Sequence, residues 1–180
     1  MSTASQTAIS VDAPGKVNLY LAVGDVRPDG YHPLTTLFAA VSLTETITVS
    51  EGQTPGLRQT PGLSLSMDIV PGSLVDQQMQ AGQFDPAAVP MDERNLVYRA
   101  AELILAEHGI ESAPALHLHI AKAVPVAGGM AGGSADAAAA LIATDRYLHA
   151  TGRTGALLTQ TDYERLAAQL GADIPFSVRA

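Results

Sequence analysis

The stretch Pro125–Thr144, PVAGGMAGGSADAAAALIAT, constrains this chain more than any other. Two glycine pairs, Gly128-Gly129 and Gly132-Gly133, run into Ser134, Asp136 and an alanine-rich segment of strong helix propensity. Glycine admits positive φ and lets a ligand approach the backbone closely. The first turn of a helix offers unpaired N–H groups at the positive end of its dipole. A glycine-rich loop feeding such a helix is therefore a ready anion site, and phosphate is the usual anion. The competing reading is a flexible loop before a buried alanine helix. Neither common phosphate template fits. The Gly-Lys-Ser/Thr ending of the P-loop is missing, and the glycines do not follow G-x-G-x-x-G spacing. If the loop holds phosphate, it belongs to another class.

Charge says how such an anion would have to be held. The formal net charge of the 180 residues is −8, so there is no basic field to attract nucleic acid or anionic lipid. Loop amides and a few lysines must do the work locally. With 47% hydrophobic residues the chain has material for one core and a small second one. Cysteine is absent, which excludes disulfides and cysteine-bound metals and is compatible with a reducing cytoplasm. The start, MSTASQTAIS, has neither the basic and apolar regions of a secretory signal nor the arginines of a transit peptide. The uncharged run Ala123–Ala135 is too short and glycine-rich to span a bilayer. A soluble chain is expected.

Read in order, the front of the chain is β-rich. Strands are expected at Ile9–Val11, Lys16–Val23, Leu37–Val41 and Glu45–Ser50, with Arg27-Pro28-Asp29-Gly30 as turn chemistry. Residues 52–90 are punctuated by glycine and proline and read as an insertion; Leu63–Ile69 is a candidate strand and 73–89 a mobile loop. Apolar spacing at Leu96, Ala100, Leu103 and Ile104 predicts a helix over 95–108, capped by Asn95 and stopped by Gly109. Leu116–Ile120 alternates as a strand whose His117 and His119 share one face. With no third ligand nearby they read as solvent-facing rather than as a metal pair. A helix over 137–149 follows the glycine loop. Thr161-Asp162-Tyr163-Glu164 offers a capping box for a last helix ending at Gly171, and Phe176–Val178 looks like the start of a strand.

Three segments now stand together: APGKVNLYL at 13–21, the glycine loop, and GADIPF at 171–176. Together with Asp29-Gly30-Tyr31-His32 they resemble the GHMP small-molecule kinase superfamily, and within it the branch acting on a cytidine-diphosphate-linked methylerythritol. The resemblance covers nearly the whole chain outside 52–90. It implies an α+β fold of the ribosomal-protein-S5-domain-2-like type, with residues 1–180 forming the family's N-terminal, ATP-binding domain. It also implies ATP and Mg²⁺ as cofactors, a small-molecule substrate, no nucleic-acid or membrane partner, a bacterial cytoplasmic setting, and a monomer or weak homodimer. Asp173 matches the family's catalytic carboxylate, which orients or deprotonates the acceptor hydroxyl. Lys16 matches its lysine, a cation able to stabilise the transferring group. Only the fold could bring these two together.

The same resemblance assigns the binding residues. Pro125, Val126, Ala127, Gly128, Gly129, Met130, Ala131, Gly132, Gly133, Ser134 and Ala135 would wrap the ATP phosphates. Ser134 would lie beside Mg²⁺ or an inner phosphate, the ion being held through ATP. Asn95 and Lys122 match positions near the base and ribose, although Asn95 reads equally well as a helix cap. Asn18, Tyr31, His32 and Phe38 match the substrate site, with Tyr31 and Phe38 placed to stack on cytosine and His32 to bond its edge. Ala127 and Ala131 replace glycines found in many relatives, which implies that neither position needs positive φ. Asp136, an anion beside phosphates, would have to point away or help hold the metal. The family's chain continues into a second domain that closes the substrate side, so weak or no turnover is expected of these 180 residues alone. Another acceptor alcohol, such as homoserine or mevalonate, and a non-catalytic nucleotide-binding module are the competing readings.

Overall fold

The computed structural model describes residues 7–30, 32–52, 62–111 and 115–180. Four strands, β1 (Ala8–Val23), β2 (Leu34–Glu51), β3 (Leu63–Ile69) and β4 (Leu116–Lys122), form one sheet in the order β1-β2-β4-β3. β1 and β2 pair antiparallel, as do β2 and β4, whereas β3 and β4 run parallel. A parallel pair needs a long crossover, and here it carries α1 (Leu74–Gln80), a short 3₁₀ turn at Pro86–Ala88 and α2 (Leu96–Glu107). After β4 come α3 (Gly132–Ala150), α4 (Gln160–Leu170) and α5 (Ile174–Ser177). The result is the α+β fold expected. No helix among the described residues is long and apolar enough to cross a membrane.

The front strands are longer than the sequence suggests. The pieces expected at 9–11 and 16–23 are one strand, and so are those at 37–41 and 45–50. Pro14 is tolerated because β1 is an edge strand, and register shifts between Pro14 and Lys16 and between Asn18 and Tyr20 absorb the irregularity. Alternation then sorts the two faces. Val11, Ala13, Ile47, Val49, Leu116, Leu118 and Ile120 point inward and are buried under α2 and α3. On the outer face Ser10 bonds Thr48 at 2.8 Å, and Thr46 donates to Asp12 at 2.6 Å. His117 and His119 lie there too, half-buried and tied to Ser64 and Ser66, the Ser66 hydroxyl meeting one ring at 2.7 Å and the other at 2.8 Å. No cluster of three or more metal-ligating side chains exists among the described residues.

Four local expectations are corrected. Residues 73–89 are not a structureless loop: Ser73 caps α1 by accepting from the Asp76 amide at 3.1 Å, and Asp85 caps the 3₁₀ turn. The glycines and prolines there punctuate two short elements instead of abolishing structure. The cap of α4 lies earlier than expected, with Thr159 and Asp162 exchanging the capping-box bonds. The segment 176–178 is the end of α5 and not a strand, because Pro175 sits in the first turn, where its missing N–H costs nothing. Helix α3 also begins at Gly132, well before the alanines at 137.

α3 is buried along almost its whole length, and its alanines allow close approach to the sheet. Near its far end Asp145, fully buried, ties three elements together. It accepts from His108 Nε2 at 2.6 Å, from the Tyr163 hydroxyl at 2.5 Å and from the Leu158 amide at 2.9 Å. Burial and then the bond to Asp145 push the Tyr163 phenol above its ordinary range. Removing this carboxylate strands three donors in the interior. Asp145→Ala is expected to lose about 3 kcal/mol of stability, read from urea unfolding midpoints; an unchanged midpoint would contradict the assignment.

Candidate active site

The glycine loop is held in shape from two sides. The Lys16 amide of β1 donates to Met130 O at 3.0 Å, and the Val126 amide donates to Gln78 Oε1 of α1 at 3.2 Å. At Gly15 a Cβ would lie 3.1 Å from Val124 Cγ1 and 3.3 Å from Met130 O, so a larger residue would have to push these neighbours back by a few tenths of an ångström. Inside the loop three residues take positive φ: Ala127 at 59°, Gly129 at 71° and Ala131 at 56°. The two alanines contradict the expectation that these positions need no left-handed backbone. For a residue with a Cβ that conformation costs about 1–2 kcal/mol, and it persists because the flanking contacts over-determine the loop.

The strained Ala131 is the N-cap of α3 and offers no side-chain acceptor. The Ser134 and Ala135 amides turn back to Ala131 O, both at 2.9 Å, while those of Gly132 and Gly133 have no protein acceptor among the described residues. These two donors and the helix dipole face a cleft of about 390 Å³. Its walls are the loop from Pro125 to Gly133 and the segment Val89, Pro90, Arg94, Asn95 and Leu96, with Lys122 and Asp136 also lining it. Arg94, on the rim, is already engaged in a bidentate pair with Asp92. Asn95 is the helix cap that its position before the apolar helix suggested, accepting from the Val97 amide at 2.9 Å and donating to Pro90 O at 2.7 Å.

Beneath the helix terminus lies a buried ionic cluster. The Lys122 ammonium donates to Glu45 Oε1 at 2.5 Å and to Asp136 Oδ2 at 2.6 Å. Burial disfavours the charged lysine, but Asp136 and Glu45 together outweigh it and hold its pKa above the ordinary value. Asp136 thus points away from the loop and into a lysine. Lys122, expected near the base and ribose, lines the cleft but spends its charge on these two carboxylates.

A second group of side chains forms on the other side of the seam. Lys16 Nζ lies 3.5 Å from Asp173 Oδ2 and donates to Asn18 Oδ1 at 2.8 Å. Asn18 Nδ2 in turn donates to Thr36 Oγ1 at 2.7 Å. The ammonium also sits 5.0 Å from the centre of the Phe38 ring, whose other neighbour is Phe176 at 5.2 Å, tilted by 52°. Residues from opposite ends of the chain therefore meet at one point, next to the peptide that binds Met130. His32 stands apart at the tip of the β1–β2 hairpin, where its ring Nδ1 bonds Gly24 O at 2.8 Å. Tyr31 lies outside the described residues.

Residues 95–180 match the family described as GHMP kinases N terminal domain. The 4-diphosphocytidyl-2-C-methyl-D-erythritol kinase of Mycobacterium avium (strain 104) is 46% identical over 95% of this chain and 45% of its own length. Residues 95–180 are thus the part of this chain that carries the GHMP kinases N-terminal domain. The relative of the same name from Paenarthrobacter aurescens (strain TC1) is 44% identical, over 94% of this chain and 46% of its own. Among solved structures, a 4-(cytidine 5'-diphospho)-2C-methyl-D-erythritol kinase superposes with a TM-score of 0.62 at 32% identity, covering 95% of this chain and 49% of that one. Homoserine kinase from Cytophaga hutchinsonii, at 17% identity and a TM-score of 0.56, shares the fold. The chain spans about half the length of the curated relatives it matches.

Sequence reasoning missed several residues that the chain uses to build its cleft. Glu45 was legible: it shares strand parity with Ile47 and Val49, and so had to face the core. Phe176 was hidden by the mistaken strand, although Pro175 after Asp173-Ile174 is a helix-start signal. Gln78 carried no signal of its own. The strain at Ala131 is open to a direct check. Ala131→Gly relieves the left-handed cost but loosens the unfolded chain, for a net gain of about 0.5 kcal/mol, whereas Ala131→Val makes the strain worse. Opposite shifts of the two melting temperatures are expected, and parallel shifts would contradict the strained geometry.

Proposed function

We propose that this domain belongs to an enzyme that phosphorylates the 2-hydroxyl of 4-diphosphocytidyl-2-C-methyl-D-erythritol with ATP, a step of the non-mevalonate isoprenoid pathway. The observation that carries the reading is the meeting of Lys16 and Asp173 at 3.5 Å beside an uncapped glycine-rich helix terminus. A binding module needs the terminus but not the pair. The names of the relatives supply the substrate, and the turn Asp29-Gly30-Tyr31-His32 agrees with them.

In this reading the free amides of Gly132 and Gly133 and the dipole of α3 hold phosphate oxygens. Mg²⁺ would come with the nucleotide as part of the MgATP substrate. Asp173, its side chain 37% exposed, is open to an incoming hydroxyl, while Lys16 is 9% exposed and fixed by Asn18 and the Phe38 face. The hydroxyl oxygen bonds to the γ-phosphorus as the bond to the β–γ bridging oxygen breaks. ADP leaves and the hydroxyl proton passes to Asp173. Lys16 sits where negative charge grows on the transferring group. Phe38, already packed on Phe176 and Lys16, acts as a wall of this site more than as an open stacking platform.

Single-turnover transfer from labelled ATP tests the reading. Slow label transfer to the diphosphocytidyl alcohol is expected, and Asp173→Ala should reduce it at least about 100-fold. Transfer to mevalonate or homoserine instead would overturn the substrate. Nucleotide binding with no transfer to any of these alcohols, by a chain extended to the full length of its relatives, would favour the non-catalytic module.

A further inference from the structure

The charges beneath α3 do not balance. One ammonium, Lys122, serves two carboxylates, and Glu45 is completely buried while the Lys122 and Asp136 side chains are 6% and 9% exposed. Glu45 Oε1 accepts from Lys122 and, at 3.3 Å, from the Val124 amide; Oε2 accepts from the Ala123 amide at 2.8 Å. Asp136 Oδ2 accepts from Lys122, but its Oδ1 is buried with no hydrogen-bond partner among the described residues. The groups facing Glu45 are thus Lys122 from β4, Asp136 from α3 and two turn amides, while β1 places uncharged Ala13 opposite it. Fully ionised, the cluster carries one uncompensated negative charge in a dry interior, a costly arrangement.

Its position gives that charge a consequence. At Gly132, the first residue of α3, a Cβ would lie 3.0 Å from Glu45 Oε1 and 3.2 Å from Lys122 Nζ, so the helix terminus rests directly on the cluster. Lys122 and Asp136 line the same cleft as Gly132 and Gly133, whose amides have no protein acceptor among the described residues. An anion at those amides sits over a floor of its own sign, and a proton on the floor removes the conflict. We propose that the Glu45–Asp136 pair, sharing one lysine, takes up a proton when nucleotide phosphates bind at the α3 terminus, making this pair the element that sets the pH dependence of nucleotide affinity. The inference rests on the reading of the cleft as a nucleotide site and goes beyond it by naming a group that neither touches the nucleotide nor joins the chemistry.

The charge balance of Glu45 in the free domain already favours this. Its burial, followed by the nearby Asp136 carboxylate, raises its pKa to about 7 against the pull of Lys122 and the amides. An added anion raises it further, so the free domain is partly ionised near neutrality and the complex is protonated. Binding therefore consumes a proton, and affinity falls as pH rises: above the free pKa, each pH unit weakens binding by up to about tenfold.

Calorimetric titration of MgADP into the chain, in two buffers of different ionisation enthalpy, counts the protons taken up. For the native sequence an uptake of up to about three quarters of a proton is expected at about pH 7.5, with affinity weakening up to about fivefold between about pH 7 and pH 8. Glu45→Gln should take up none beyond the nucleotide's own share, bind with little pH dependence, and bind more tightly than the native chain at the alkaline end. Asp136→Asn, which leaves Lys122 a single carboxylate, should flatten the same profile and serves if the first variant fails to fold. Nucleotide binding with identical proton uptake in native and variant chains would overturn the role of Glu45 and leave the nucleotide site standing. Absence of MgADP binding to the native chain would overturn both.

Discussion

Everything in this domain is referred to α3, a helix enclosed on nearly every side. It touches β1, β2, α2, α4 and α5, and from Ala135 to Ala140 every residue is buried. Alanine makes this possible, because a helix of small side chains can lie close to a sheet without opening gaps. A helix fixed in this way has a fixed terminus. Burial from Ala135 onward holds the start of the helix, and its free amides, at one place, as an anion site requires. Two carboxylates on α3 serve the same purpose: Asp136 anchors the start through Lys122, and Asp145 anchors the end through His108, Tyr163 and Leu158.

The second constraint is the seam between β1 and the loop. Gly15 allows contact with Val124 and Met130, and the Lys16 amide bonds Met130 O. One peptide thereby shapes the loop while its own side chain reaches Asp173 on the opposite side. The loop lacks a lysine of its own, and this seam supplies the missing cation from far upstream. Strain at Ala127 and Ala131 belongs to the same picture, since left-handed alanine survives only where neighbours leave no alternative.

What the sequence made legible, and what it hid, follows from the range of the interactions. The glycine loop, the helix capped by Asn95 and the strand at 116–120 are set by local periodicity and capping, and all were readable. The pairing of Lys16 with Asp173 was expected from the family resemblance and not from spacing, since no local rule links residues at opposite ends of a chain. The short helices α1 and α5 were obscured by proline and glycine, which mark both turns and helix starts. The left-handed alanines were misread because residue preference is a weak guide where tertiary contacts decide φ. Glu45 was visible in its strand parity, but its partners, Lys122 and Asp136, come from β4 and α3 and needed the fold.

The central claim is that the α3 terminus and its loop form a nucleotide-phosphate site. Amide chemical shifts of the isotopically labelled chain, followed as MgADP is added, address it residue by residue. The account predicts that the largest saturable shifts fall on Ala127 to Ser134, Gly132 and Gly133 foremost, with smaller ones at Lys16 and Asn95. Shifts confined to the outer face of the sheet, or no saturable shift within the loop, would contradict it.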